Sequence, residues 1–133
     1  MPALSPITVL DRQTVPVAHV FEPNGSMANG VHSFIQTDGV PIGDSLLTVS
    51  SRKTSANKTV VLWRLAVPVT KTETVNGIDS EVVIRTAYAE CKFTFDESST
   101  LAERQDTAGK IESLIKADNA LSNAIITQLQ KFY

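Results

Sequence analysis

The sequence is poor in the residues that carry most enzyme chemistry. Its 133 residues include one cysteine, Cys91, and two histidines, His19 and His32. A lone cysteine excludes an internal disulfide. Its place in an apolar-alternating segment reads as a small buried hydrophobe rather than a reactive thiol. Neither histidine has a Cys or His partner at a metal-ligand spacing, so both are expected as ordinary strand histidines, with no metal and no cofactor. There is no nucleophile elbow, no phosphate-binding glycine loop and no HExxH. The adjacent carboxylates Asp96 and Glu97 read as charge favoured by a helix N-terminus, not as an acid–base pair. An enzyme therefore has no residues to rest on. Long hydrophobic runs are absent too: nothing reaches the roughly 18 apolar residues of a membrane span. The N-terminal stretch MPALSPITVLDRQ lacks the basic start and apolar core of a signal peptide. The patterns at Asn24-Gly-Ser26 and Asn57-Lys-Thr59 carry no weight as glycosylation sites without a secretory signal. The expectation is a soluble protein made in a cytoplasm.

What is present suits one compact domain over residues 1–133. A hydrophobic share of 42% supplies a core, and a charged share of 20% argues against disorder. Residues up to 97 alternate as strands and residues from 98 onward repeat as helices, which predicts an α+β domain with an antiparallel sheet. ITVLDR and VPVAHVF predict a hairpin around residues 11–14. Residues 22–30, EPNGSMANG, carry turn chemistry with two Asn-Gly pairs. Strands follow at 31–36, 45–54, 58–69 and 82–96. Polar connections are expected at 37–44, 55–57 and 70–81, the last turning at Asn76-Gly77. Thr100-Leu-Ala-Glu103 is a capping-box pattern, so a helix should begin there, with Ala108, Ile111, Leu114 and Ile115 on one stripe. Asp118 or Asn119 can cap a second helix, whose apolar face is Leu121, Ala124, Ile125, Leu129 and Phe132.

The period of two separates the sheet faces. Val61, Trp63, Leu65 and Val67 share one face of their strand, and Lys58, Val60, Leu62, Arg64 and Ala66 the other. On the last strand Ala87, Ala89, Cys91, Phe93 and Phe95 oppose Thr86, Tyr88, Glu90, Lys92 and Thr94. Two helices cover only part of such a sheet. The remaining apolar face implies a second copy of the chain as its cover. The other face is basic. Between Leu47 and Lys71 lie Arg52, Lys53, Lys58, Arg64 and Lys71 without a carboxylate, in a chain of formal net charge −2. Arg52, Lys58, Arg64 and Lys92 can neutralise phosphates, Thr48 and Ser50 can hydrogen-bond them, and Tyr88 offers a base a stacking surface. Such a face reads single-stranded or looped RNA. Glu90 argues the other way, because a carboxylate repels phosphate; an ordinary solvated face is the plainer alternative.

The order and spacing of NGV at 29–31, TVSSRKTSANK at 48–58, Val67-Pro68, TAYAECKFTF at 86–95 and SSTLAERQ at 98–105 resemble the coat proteins of the small single-stranded RNA phages, the leviviruses. The resemblance implies an N-terminal hairpin, a five-stranded antiparallel sheet and two C-terminal helices. It also implies a homodimer with one ten-stranded sheet and interlocking helices. Dimers would build an icosahedral T=3 shell around genomic RNA, assembled in the bacterial host cytoplasm, with the polar face inward. It further implies binding of one operator stem-loop that represses replicase translation. The positions that match the family's RNA-contacting residues are Val31, Thr48, Ser50, Arg52, Lys58, Leu62, Arg64, Tyr88 and Glu90. Leu62 departs from the polar residue common in relatives, and Leu46 and Val60 replace positions that are basic in some. Glu90 stands where Asn or Asp occurs. The loop at 70–81 matches the family's symmetry-adapting loop, expected in at least two conformations, and lacks the cysteines that cross-link some relatives. The competing reading is a stand-alone dimeric RNA-binding module that forms no shell.

Overall fold

The computed structural model describes residues 3–26, 30–37, 39 and 41–131. Six strands form one sheet in chain order: β1 (Ile7–Leu10), β2 (Ala18–Ser26), β3 (Val31–Gln36), β4 (Ser45–Lys53), β5 (Lys58–Val75) and β6 (Ile78–Asp96). Two helices follow, α1 (Leu101–Ile115) and α2 (Ala120–Ile126). The strands up to Thr94 form one compact unit, and residues from Phe95 onward form a second.

The expected separation of a hairpin from a five-stranded sheet is corrected here, because β2 serves both. Its first half, Ala18 to Phe21, pairs with β1, and its second half, from Glu22, pairs with β3. The strands β2 to β6 are thus the five of the sheet, with β1 as a sixth. The turn expected at 22–30 is strand as far as Ser26, and residues 27–29 lie outside the described residues. What the turn-forming residues do instead is break the ladder. The register shifts between Pro23, which has no N–H to donate, and Ser26, with Gly25 at φ 87 between them. Ser33, 4% exposed, points its hydroxyl at the freed carbonyl of Asn24, 3.3 Å away.

The polar connection expected at 70–81 is also corrected. It is strand throughout, except for Asn76 and Gly77, whose φ values of 53 and 76 make the two-residue turn. Positive φ at both positions gives a turn whose twist matches its strands, so Asn-Gly lets the ladder run to its end. The β-branched residues Val69, Thr70, Thr72, Thr74, Val75 and Ile78 favour strand on either side. Thr72 donates to Glu81 and Thr74 to Asp79, closing the polar face of the ribbon. The tip between β4 and β5 falls where expected, with Thr54 N–H donating to the Lys58 carbonyl at 2.8 Å.

The core lies on one sheet face. Phe21, Phe34 and Leu47 are buried, with Ile7, Val49, Trp63 and Leu65 packed against them. Register builds this face in rows: Phe34, Leu47 and Leu65 lie side by side, as do His32, Val49 and Trp63. Trp63 and Leu65 are partly buried against the cluster of Phe21, Phe34 and Leu47. In the helical unit the capping box is present: the Thr100 hydroxyl accepts from Glu103 N–H, and the Glu103 carboxylate accepts from Thr100 N–H. Asn119 caps α2. That helix ends at Ile126 rather than continuing to Leu129, which sits at φ 53 outside it. Phe132 lies outside the described residues. Neither helix buries a residue, and Leu101, Leu114, Ile115, Leu121 and Ile126 are exposed. Asp96 holds the turn before α1, its carboxylate accepting from the Ser98 N–H and hydroxyl, so its place is a turn and not the helix start.

Candidate nucleic-acid interface

Strand register decides which of the sequence-selected residues meet. Val31 of β3, Ser50 of β4 and Leu62 of β5 stand opposite one another in a single row. The next row is Ser33, Thr48 and Arg64, and Arg52 stands opposite Val60. Residues directly paired across strands project to the same face. Val31, Thr48, Ser50, Arg52, Leu62 and Arg64 are therefore on one surface, opposite the core. The period of two adds Lys58 at the start of β5, about 20 Å along the strand from Arg64.

The last strand completes the surface. Thr48, Arg64, Tyr88 and Glu90 line one shallow depression of about 280 Å³, with Leu46 and Ala66 in its wall. Tyr88 is 81% exposed, so almost the whole ring is offered to solvent. An aromatic side chain standing open on a sheet has no packing reason to be there, and its face suits a stacked base. Arg64 donates through Nε to Glu90 Oε2 at 3.2 Å, and the two side chains are 63% and 56% exposed. An exposed pair of this kind contributes about 0.2–1 kcal/mol. It holds Arg64 in place yet can exchange the carboxylate for a phosphate at small cost. Glu90 thus enters the surface as a partner of Arg64, not as an isolated negative charge.

Alternation along β5 already sets Ala66 on this face, where it lines the depression. Ser33, buried beneath the face, is placed there only by the pairing register. Val60, opposite Arg52, is buried at 6% exposed.

A second polar cluster lies at the N-terminal hairpin. Asp11 accepts from His19 Nε2 at 2.8 Å, from Val17 N–H at 3.0 Å and from Gln13 N–H at 3.2 Å. Gln36 of β3 donates to His19 Nδ1 at 2.7 Å. A carboxylate only accepts and an amide nitrogen only donates, so the neutral ring carries its hydrogen on Nε2. These bonds, that of His19 foremost and then that of Val17, hold the Asp11 carboxyl below its usual range. The cluster ties β1, β2 and β3 together. Among the described residues no three His, Cys, Asp or Glu side chains gather as a metal site requires.

Comparison with known proteins gives a consistent picture. A family model described as levivirus coat protein matches residues 2–133. The capsid protein of Pseudomonas phage PRR1 is 38% identical over 130 residues, covering 98% of both chains. Among solved structures, the virus-like particle of bacteriophage ESE058 superposes with a TM-score of 0.86 at 22% identity, over 99% of this chain and 100% of that one. The bacteriophage GA protein capsid gives 0.82 at 24% identity, over 98% of each chain.

Proposed function

This chain belongs to the levivirus coat protein family, and from that premise we propose that it is the subunit of a phage shell that packages single-stranded RNA and binds one RNA stem-loop through its polar sheet face. The family is structural and non-enzymatic, and the protein is a virion component. Assembly is in the host cell, and strand and helical units act together as one coat-protein domain.

Self-association follows from what a single chain leaves unfinished. The sheet ends on one side at β1, four residues long, and on the other at β6, nineteen residues long. A long open edge presents a row of unpaired backbone groups and seeks another strand. Two chains meeting along β6 make one continuous sheet, of ten strands when β2 to β6 of each are counted. Helices without a buried residue then find their cover in the partner. Dimers of this kind assemble into the T=3 shell.

The observation that carries the RNA reading is the convergence of Thr48, Arg64, Tyr88 and Glu90 on one depression, flanked by the row Val31, Ser50 and Leu62 and by Arg52. Arg52, Arg64 and Lys58 neutralise phosphates, Thr48 and Ser50 hydrogen-bond, and Tyr88 stacks. Binding the stem-loop at the replicase start both represses translation and marks the genome. Filter binding at several salt concentrations tests this. Arg64→Ala and Arg52→Ala should each weaken stem-loop binding and flatten its salt dependence by up to about one counterion. Tyr88→Ala should cost about 1–3 kcal/mol. Unchanged affinity in the Arg64 and Tyr88 variants would place the RNA elsewhere. Electron microscopy of the purified protein separates a shell subunit, which gives particles of uniform diameter, from a dimeric module that never assembles.

A further inference from the structure

We propose that Asn76 is a modification site: it loses its side-chain amide to attack by the backbone nitrogen of Gly77, ahead of Asn24, and so adds a negative charge at the end of the β5–β6 ribbon. The inference stands apart from the RNA reading and from shell assembly. It starts from a contrast between two Asn-Gly pairs, 24–25 and 76–77, each with an exposed asparagine. The asparagine of a third pair, Asn29-Gly30, lies outside the described residues.

The reaction closes a five-membered ring. The backbone nitrogen of Gly77, giving up its proton to hydroxide, attacks Cγ of Asn76. The N–Cγ bond forms, the Cγ–Nδ2 bond breaks, and the amide nitrogen leaves as ammonia after taking a proton from water. Water then opens the succinimide at one of its two carbonyls. Opening at Cγ leaves an aspartyl residue. Opening at the main-chain carbonyl leaves an isoaspartyl residue, whose chain runs through the side chain and is one methylene longer. The sum is one water consumed and one ammonia released, and nothing is oxidised or reduced. Glycine matters at the second position because no Cβ shields the attacking nitrogen. The space there is open as well, since even a Cβ built on Gly77 would meet no atom within 4 Å.

The ring closes only if the chain turns about the Cα–C bond of the asparagine, which swings that residue's carbonyl. At Asn24 the fold resists this turn. Its carbonyl lies 3.3 Å from the buried hydroxyl of Ser33, and Pro23 and Ser26 on either side are paired with Phe34 and His32. Asn76 and Gly77 are instead the two central residues of a turn, whose closing bond joins the residues that flank them. Every residue from 71 to 80 is exposed, so opening the tip uncovers no core. Segments of this kind open at the lowest free-energy cost in a fold. Between Lys71 and Arg85 the ribbon carries Glu73, Asp79 and Glu81 and no cation. A carboxylate at position 76 enlarges that negative charge, and the extra methylene of the isoaspartyl form spoils the match of turn to ladder that Asn-Gly provides.

The test holds the intact protein in mildly alkaline buffer over a time course, with circular dichroism followed throughout. Samples are digested and their peptides resolved by mass spectrometry. The free peptide TETVNGID, residues 72–79, is incubated beside them. Asn76 should convert to two resolved acidic products while the sheet signal is intact, roughly tenfold faster than Asn24. Asn76→Gln, which would have to close a six-membered ring, should keep its amide over the same period. Conversion of Asn24 as fast as Asn76 overturns the proposal, as does an Asn76 still amidated when the free peptide has fully converted. Conversion that begins only after the sheet signal is lost overturns it too, because the ribbon end would then be no weak point of the folded chain.

Discussion

At the scale of single residues, the N-terminal hairpin rests on a carboxylate that no sequence pattern singles out. Asp11 gathers two backbone N–H groups and a histidine, and these lower its proton affinity in the folded chain. A carboxylate whose folded pKa is depressed contributes stability that is complete above its unfolded value, about 3.9, and is lost as pH falls through the folded value. The stability difference between the unaltered protein and Asp11→Asn should therefore be largest above about pH 4 and shrink on further acidification. Urea unfolding from pH 7 to pH 3 measures it; a difference that grows with acid would contradict the assignment. The residues of the polar sheet face are more legible. Period-two alternation sorted Lys58, Leu62 and Arg64 from Trp63 and Leu65 without any structure. Alternation is local, however, and says nothing of which residue lies across the strand gap. The Arg64–Glu90 pair joins residues 26 positions apart, and no pattern within either segment reveals it.

At the scale of elements, boundaries followed the chemistry of their ends. The capping box at Thr100 and the cap at Asn119 were readable because each is a local exchange of hydrogen bonds within four residues. Thr100→Ala removes the hydroxyl acceptor of Glu103 N–H and should cost about 1 kcal/mol in urea unfolding, while Thr100→Ser restores it. An alanine variant as stable as the parent would show that α1 does not depend on its cap. The ribbon of β5 and β6 was misread as a loop because its polarity outweighed its β-branched content in the sequence. Charged and hydroxyl side chains mark a loop in a compact sheet but are at home on a strand exposed on both faces. Gly77 sits at φ 76, where a side chain meets its own backbone. Gly77→Val should loosen the turn and destabilise the ribbon by about 1–2 kcal/mol. Amide hydrogen exchange should quicken at Thr72, Thr74 and Asp79 and remain slow at Thr48 and Leu62. Exchange that stays uniform would mean the ribbon is held by something other than its turn.

At the scale of the whole molecule, one chain leaves a long open strand at its edge and two helices without a buried side chain. Each exposed leucine or isoleucine that becomes covered contributes about 1.5–3 kcal/mol. Separated monomers should therefore lose their fold. Sedimentation of disassembled protein over a dilution series, with circular dichroism at each step, should show dimer passing directly to unfolded chain, and a folded monomer would refute it. The α+β class was readable from the sequence because strands and helices occupy separate stretches of the chain. The sharing of β2 between hairpin and sheet was not, because it depends on a register shift at Pro23 and Gly25. The sheet order itself has a further consequence, for synthesis. Every strand lies beside the one made just before it, so no pairing waits for a distant segment. A ribosome releasing this chain from its N-terminus delivers each new strand to a finished neighbour, and sheets built of such local pairings form quickly. The long edge strand and the helices emerge last. A nascent chain can thus complete most of its sheet before it exposes the surfaces that would join it to another copy, which keeps neighbouring chains on one messenger from tangling while they are still being made.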